Sequence, residues 1–248
     1  MTKQHFLSGT PNMRPRASFL VYVRSLCFYG ASALTALPFL LLWPAVWLPG
    51  NTLARILDCY LRLQLLILKY TAGITYQLEG RENLPRGAFL IASQHESSWE
   101  TIYFNILLDR PAMFAKKEIF SYPLVGPLTR KMGHIPVDKN GSGDAMRDGF
   151  RQGQAIIKQG RKLLIFPSGT RRISEAANLQ AGVGVIYQLC RVPVVPVLLN
   201  SGKCWPYGSL LKYPGTIHVR ILPPLPANLE RGEFMRLLSS ELSQPAVK

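Results

Sequence analysis

The chain has 248 residues, with 29 Lys plus Arg against 14 Asp plus Glu, 48% hydrophobic residues and a formal charge of +15. That length allows one domain with an appendage, or two small domains at most, and the charge favours an anionic partner: nucleic acid, an anionic membrane or a phosphorylated metabolite. Cys27, Cys59, Cys190 and Cys204 show no Cys-x-x-Cys spacing, which argues against a zinc site and a dense disulfide scaffold and for a reduced compartment.

Residues 1–17 are polar and basic and read as a poorly ordered arm. Ser25 to Leu48 then holds no charge, and about 20 apolar residues suffice to cross a bilayer core. Its apolar core is too long for a secretory signal, and no small-residue cleavage site follows it. A second segment, Leu53 to Leu68, starts after the capping residues Asn51 and Thr52 and confines Arg55, Asp58 and Arg62 to one face. Basic sequence flanks both segments, so a single crossing would set the two flanks on opposite sides, against the positive-inside tendency. A re-entrant or interfacial hairpin over 18–72 satisfies both, and Pro38 and Pro44 disfavour a straight crossing.

From residue 73 short strands and helices alternate. Strands are predicted at Thr75–Leu78, Phe89–Ala92, Ala112–Ala115, Leu163–Phe166 and Val194–Leu198, and the alternation of Ile217, Val219 and Ile221 predicts an edge strand over Thr216–Leu222. Helices are predicted at Ser98–Leu108, Asp144–Gln159, Leu179–Cys190 and Arg231–Leu242. The fold class is therefore α/β, a mostly parallel sheet with helices on both faces in residues 73–248, preceded by the membrane-associated helical hairpin.

Chemistry concentrates after the strand at Phe89–Ala92, in Ser93-Gln94-His95-Glu96-Ser97-Ser98-Trp99-Glu100. His95 falls in the turn before a helix and Glu100 in its first turn, where the helix end favours a carboxylate that can orient the imidazole as a general base. Ser97-Ser98-Trp99-Glu100 equally fits a capping box that does no chemistry. A zinc-protease helix is excluded because Trp99 stands where a second histidine is needed, and no Gly-x-Ser-x-Gly elbow occurs. Lys116 and Lys117 follow another strand. Phe166-Pro167-Ser168-Gly169-Thr170-Arg171-Arg172 follows a third, as either a phosphate grip or a solvated turn. His134, with no carboxylate at helical reach, is assigned a structural or peripheral duty.

His-x-x-x-x-acid, then Gly133-His134-Ile135-Pro136-Val137-Asp138-Lys139, then Phe-Pro-x-Gly-Thr-Arg, then Val192-Pro193-Val194-Val195-Pro196-Val197 resembles, in that order, the glycerolipid acyltransferase family over Leu78 to Leu225. The resemblance is closest to bacterial 1-acylglycerol-3-phosphate acyltransferases. It implies acyl transfer from a thioester to the free sn-2 hydroxyl of 1-acyl-glycerol-3-phosphate, with His95 the base and Glu100, where the family usually has Asp, its orienter. Lys116, Lys117, Lys139, Gly169, Thr170 and Arg171 would bind substrate, with Arg171 on the acceptor phosphate. Lys139 stands in place of the usual Arg, and Ser168 in place of the usual Glu.

No metal or resident cofactor is implied, the co-substrate being acyl-CoA or an acyl-carrier protein. The expected partners are a membrane lipid acceptor and an anionic membrane surface, on the cytoplasmic face of the inner membrane. Lys116 or Lys117 is a candidate oxyanion donor. Two rivals stand beside this expectation: transfer to another lyso-lipid such as a lyso-aminolipid, and a basic membrane-binding protein without turnover. Nucleic acid is disfavoured because no aromatic residues interleave with a basic stripe.

Overall fold

The computed structural model describes residues 17–41, 50–123, 125–138, 143–172 and 178–246. All but the last residue of the basic arm, the end of the uncharged run and the predicted substrate residue Lys139 therefore lie outside the described residues. Helix α1, Phe19–Leu41, contains Pro38, and its Phe19–Pro38 portion is long and apolar enough to cross a bilayer. Helix α2, Gly50–Ile67, packs on α1, with the Gln64 amide donating to Thr35 Oγ1 at 3.1 Å. On its exposed face Arg62 pairs with Asp58 at 2.7 Å, as the three-and-four spacing predicts. A π-helical turn, Leu68–Ala72, closes the element at Gly73, whose φ of 69° suits a residue without Cβ.

Seven strands follow: β1 Ile74–Glu79, β2 Leu90–Ser93, β3 Ala112–Lys116, β4 Ile135–Val137, β5 Leu163–Ile165, β6 Val194–Leu199 and β7 Gly215–Ile221. They form one sheet in the order β1-β7-β6-β2-β5-β3-β4. Every pair is parallel except β6 with β7. The remaining helices are α3 Trp99–Leu107, α4 Val125–Lys131, α5 Gly143–Lys158, α6 Ala181–Cys190, α7 Ser201–Cys204 and α8 Arg231–Leu242.

The two faces of the sheet support separate cores, because side chains alternate along each strand. Val195, Val197 and Leu199 of β6 join Ile91, Trp99, Tyr103, Phe104, Leu68 and Phe28 on one face. Val194 and Leu198 join Leu90, Ile157, Ile186, Tyr187, Phe234 and Leu238 on the other. Strand β6 is buried along its whole length, which is why it reads as a continuous apolar run. Phe28 in the first core means that α1 covers the sheet as well as presenting an apolar surface outward.

The predicted edge strand proves to be internal. β7 lies between β6 and β1 and pairs with β1 over six residues, from Ile74 with Gly215 to Glu79 with Arg220. Its alternation reports one fully covered face, with Ile217, Val219 and Ile221 buried and their neighbours half-buried, and carries no information about lateral position. One true edge is β4, which sequence periodicity misses because it has three residues, one of them Pro136. Proline lacks a ladder donor, which an edge tolerates most readily, although the inner strand β6 also carries one, Pro196, opposite Ala92.

Candidate active site

Strands β5, β2 and β6 are adjacent and parallel, so their C-terminal ends meet at one edge of the sheet, where ligands of open α/β sheets gather. His95 follows β2, Phe166 follows β5 and Ser201 follows β6. The turn after β2 is fixed by Gln94: its N–H donates to Val197 O at 3.1 Å, its side-chain oxygen accepts from Leu199 N, and its side-chain nitrogen donates to Leu242 O. His95 therefore leaves a braced corner.

The imidazole stacks on Phe166, with ring centroids 3.9 Å apart and planes 16° from parallel. Its Nδ1 stands 3.5 Å from Glu100 Oε2, an ion-pair distance too long for a good hydrogen bond, and this buried nitrogen has no other partner among the described residues. Glu100 is fully buried and accepts from four donor groups. They are the N–H of Glu96 at 3.1 Å, the N–H of Ser97 at 3.0 Å, the Ser97 hydroxyl at 3.2 Å, and the hydroxyl of Ser201 in a short contact. Ser97 Oγ in turn accepts from Trp99 N at 2.9 Å. The capping-box geometry and the carboxylate–histidine pair thus exist in the same residues. The helix start holds the carboxylate, and the carboxylate faces the imidazole.

Glu96 accepts from Gly202 N at 2.9 Å. Burial outweighs this bond and the nearby Lys203, and with the Glu100 charge beside it raises the Glu96 carboxyl to about 7.

The Ser168–Arg172 turn shapes the next wall. Gly169 adopts φ 62° and donates to Phe166 O at 2.9 Å, while the Ser168 hydroxyl donates to Thr170 O at 2.9 Å. Arg172 N donates to Thr170 Oγ1 at 3.2 Å. These bonds turn Arg171 back toward α3, where its Nη1 donates to Ser98 Oγ at 2.7 Å and its guanidinium lies 4.8 Å from the centre of the Tyr207 ring. A cavity of about 220 Å³ opens there, lined by Ser98, Arg171, Trp205, Tyr207 and Leu210 among others.

Lys116 and Lys117 end and follow β3, which β5 separates from β2, so they stand two strands, roughly 10 Å, from the strand that carries His95. Lys117 lies 3.6 Å from Asp138 and borders a larger cavity of about 610 Å³ with Arg130, His134 and Arg161. His134 is pushed down to about 4 by burial and by Arg161, so it is neutral near pH 7, as a structural residue would be. The described residues offer no cluster of three His, Cys, Asp or Glu side chains for a metal.

The structure thus brings the turn carrying His95 and Glu100 beside the turn carrying Gly169, Thr170 and Arg171, and sets Lys116 and Lys117 apart from both. Sequence reasoning misses Ser201, Tyr207, and Phe166 as a stacking platform. For Ser201 a signal existed, since it lies just past the end of a predicted buried strand.

A family model described as Acyltransferase matches residues 75–200. The 1-acyl-sn-glycerol-3-phosphate acyltransferase of Pseudomonas aeruginosa is 32% identical over 186 residues, 75% of this chain and 71% of that protein. The alpha form of the enzyme of the same name from Homo sapiens is 28% identical, over 67% of this chain and 60% of the human one. The crystal structure of the 1-acyl-sn-glycerophosphate (LPA) acyltransferase of Thermotoga maritima shares the fold, with a TM-score of 0.70 at 18% identity over 88% of this chain and 91% of that one.

Proposed function

Since this chain belongs to the acyltransferase family, we propose that it moves a fatty acyl group from an acyl thioester to the free sn-2 hydroxyl of 1-acyl-glycerol-3-phosphate, giving phosphatidic acid and the free thiol. The observation that carries this is the imidazole of His95, clamped flat on Phe166 with Nδ1 facing a buried carboxylate. That arrangement leaves Nε2 to take the acceptor's proton as its oxygen attacks the thioester carbonyl. The tetrahedral intermediate then expels the thiolate, which takes the proton. The 3.5 Å gap to Glu100 is open enough to shorten as His95 becomes cationic, and catalytic hydrogen bonds commonly tighten in the substrate complex. Names borne by the similar proteins support the acceptor assignment.

In this reading Arg171, in the turn made by Gly169 and Thr170, holds the acceptor phosphate through its planar fork. Lys116, Lys117 and Lys139 meet anionic parts of the substrates, and acyl-CoA or an acyl-carrier protein supplies the acyl group as co-substrate. The outward apolar residues of α1, among them Phe19, Leu26, Leu34 and Leu37, associate with the membrane, and we place the enzyme on the cytoplasmic face of the inner membrane. A second acceptor, a lyso-lipid of different head group such as a lyso-aminolipid, is favoured by one observation: Ser168 is spent on closing its own turn and sets no carboxylate beside Arg171.

The test is a transfer assay in membranes with a panel of lyso-lipids and both kinds of thioester donor. Wild type should acylate 1-acyl-glycerol-3-phosphate in preference to the rest, and His95→Ala should lose on the order of 10² to 10⁴ in rate. Near-normal turnover by His95→Ala would end the base mechanism. Preference for a lyso-aminolipid would replace the primary acceptor by the second.

A further inference from the structure

Lys212 is fully buried, and no carboxylate of the described residues pairs with it. Its ammonium sits instead in an aromatic cage, 4.4 Å from the ring centre of Trp205, 4.8 Å from that of Tyr29 and 5.9 Å from that of Phe28. Nζ donates to the Tyr29 hydroxyl at 2.7 Å and to Leu210 O at 3.1 Å, and the backbone N–H of Lys212 donates to Ser25 Oγ at 2.8 Å. Phe28 meets Trp205 edge-on at 5.4 Å. Ser25, Phe28 and Tyr29 all belong to α1, so one lysine ties the segment 205–212 to the helix with the outward apolar face.

A buried cation without a counter-charge is costly, and its burial lowers the Lys212 ammonium to about 8. A methionine would fill the same space without that cost. The lysine therefore needs a reason beyond packing. The reason lies at the other side of the same segment. Tyr207 sets its ring against the Arg171 guanidinium, and Trp205, Pro206, Tyr207, Gly208, Ser209 and Leu210 wall the cavity of about 220 Å³ that Arg171 and Ser98 close.

We propose that Lys212 is a positioning residue that fastens segment 205–212 to α1, and that Tyr207, held in place by it, fixes Arg171 for the head group of the acceptor. This rests on the assignment of Arg171 to the acceptor phosphate. Its consequence is that seating of α1 in the membrane sets the affinity for a lipid acceptor, through a strap of eight residues with no contribution to the proton transfer.

The experiment follows acylation of 1-acyl-glycerol-3-phosphate in vesicles and measures kcat, the acceptor KM and the donor KM for wild type, Lys212→Met, Tyr207→Ala and the double variant. Lys212→Met and Tyr207→Ala should each raise the acceptor KM about fivefold, the size of a lost cation–π contact at a half-exposed ring, with kcat and the donor KM within about twofold. The double variant should be no worse than Tyr207→Ala alone, because both act through one contact. A merely structural Lys212 would lower kcat and affect both substrates, which would overturn the proposal. So would additive losses, or an acceptor KM that Lys212→Met leaves unchanged. If Lys212→Met fails to fold, Tyr207→Ala on the half-exposed ring still decides, since an unaltered acceptor KM there overturns the coupling. Arg171→Lys serves as the separate control on the underlying assignment. If it leaves the acceptor KM untouched, the phosphate assignment falls, whereas an acceptor KM raised by Arg171→Lys but not by Tyr207→Ala or Lys212→Met overturns only the strap.

Discussion

At Glu100 one carboxylate is held by the helix start and by Ser201 while facing His95, so its substitutions separate the two duties. Glu100→Asp keeps an acceptor at the helix end but retreats from the imidazole by a methylene, and Glu100→Ala also strands the buried N–H groups of Glu96 and Ser97. Glu100→Asp should therefore lose rate at nearly wild-type stability, while Glu100→Ala should lose both, with a stability cost of about 1–3 kcal/mol for the orphaned donors. Transfer rate and thermal midpoint measured on the same samples check this. The pair itself was legible in the sequence because His95 and Glu100 are five positions apart within one turn and one helix. Ser201 was legible only as a residue just past a predicted strand, since its approach to Glu100 exists only once β6 has been set beside β2. Glu96 gives a pH test. Its folded value of about 7 lies above the ordinary 4.5, so the protonated form is favoured by folding. That contribution is full below about pH 4.5 and is lost as pH rises through 7, and it amounts to about 3 kcal/mol. Glu96→Gln should flatten this fall, read as the difference in unfolding free energy between pH 5 and pH 8. An unchanged slope would mean that Glu96 is ionised in the fold.

Among the elements, α5 shows how packing overrides local preference. Its Gly149 and Gly153 are both buried against the sheet side, where glycine is a poor helix former. A Cβ at Gly149 would meet Ile135, Pro136 and Phe114 at 3.6–3.9 Å, ordinary contact. At Gly153 it would meet Ile186 Cδ1 at 3.0 Å and Leu163 Cδ2 at 3.1 Å. Gly149→Ala should thus stabilise by roughly 0.5–1 kcal/mol through helix propensity, and Gly153→Leu should destabilise by about 1–3 kcal/mol through overpacking. Denaturation midpoints of the two variants should move in opposite directions. Helices α3, α5, α6 and α8 were visible beforehand because their periods are long enough to count, and β2, β5 and β6 because they are continuous apolar runs, whereas the seven-residue α4 was not foreseen. β4 was invisible because Pro136 breaks its three residues where the equally short β5 is an unbroken apolar run, and β7 was misplaced because periodicity reports covered faces, not neighbours.

For the molecule as a whole, α1 and α2 pack together, tied by Gln64 and Thr35. We expect both flanks on one side of the membrane. In a variant lacking the exposed Cys27 and Cys59, cysteines placed near residues 10 and 72 should react with an impermeant label from the same side. Reaction from opposite sides would establish a single crossing.

The pairing of β1 with β7 joins residues far apart in the chain, down to the hydroxyls of Thr75 and Thr216, 3.1 Å apart and separated by 141 positions. At about 5–20 residues per second, the ribosome needs on the order of ten seconds to deliver the partner after β1 has emerged. During that interval α1 is already complete and can already lie in lipid, while β1 waits with an unpaired ladder edge. Ser201, the donor that completes the hold on Glu100, is also made late. If α1 enters lipid as soon as it is made, the newborn enzyme would be at its membrane before it is active, and its vulnerable period would be spent tethered to a surface that keeps one unfinished sheet away from another.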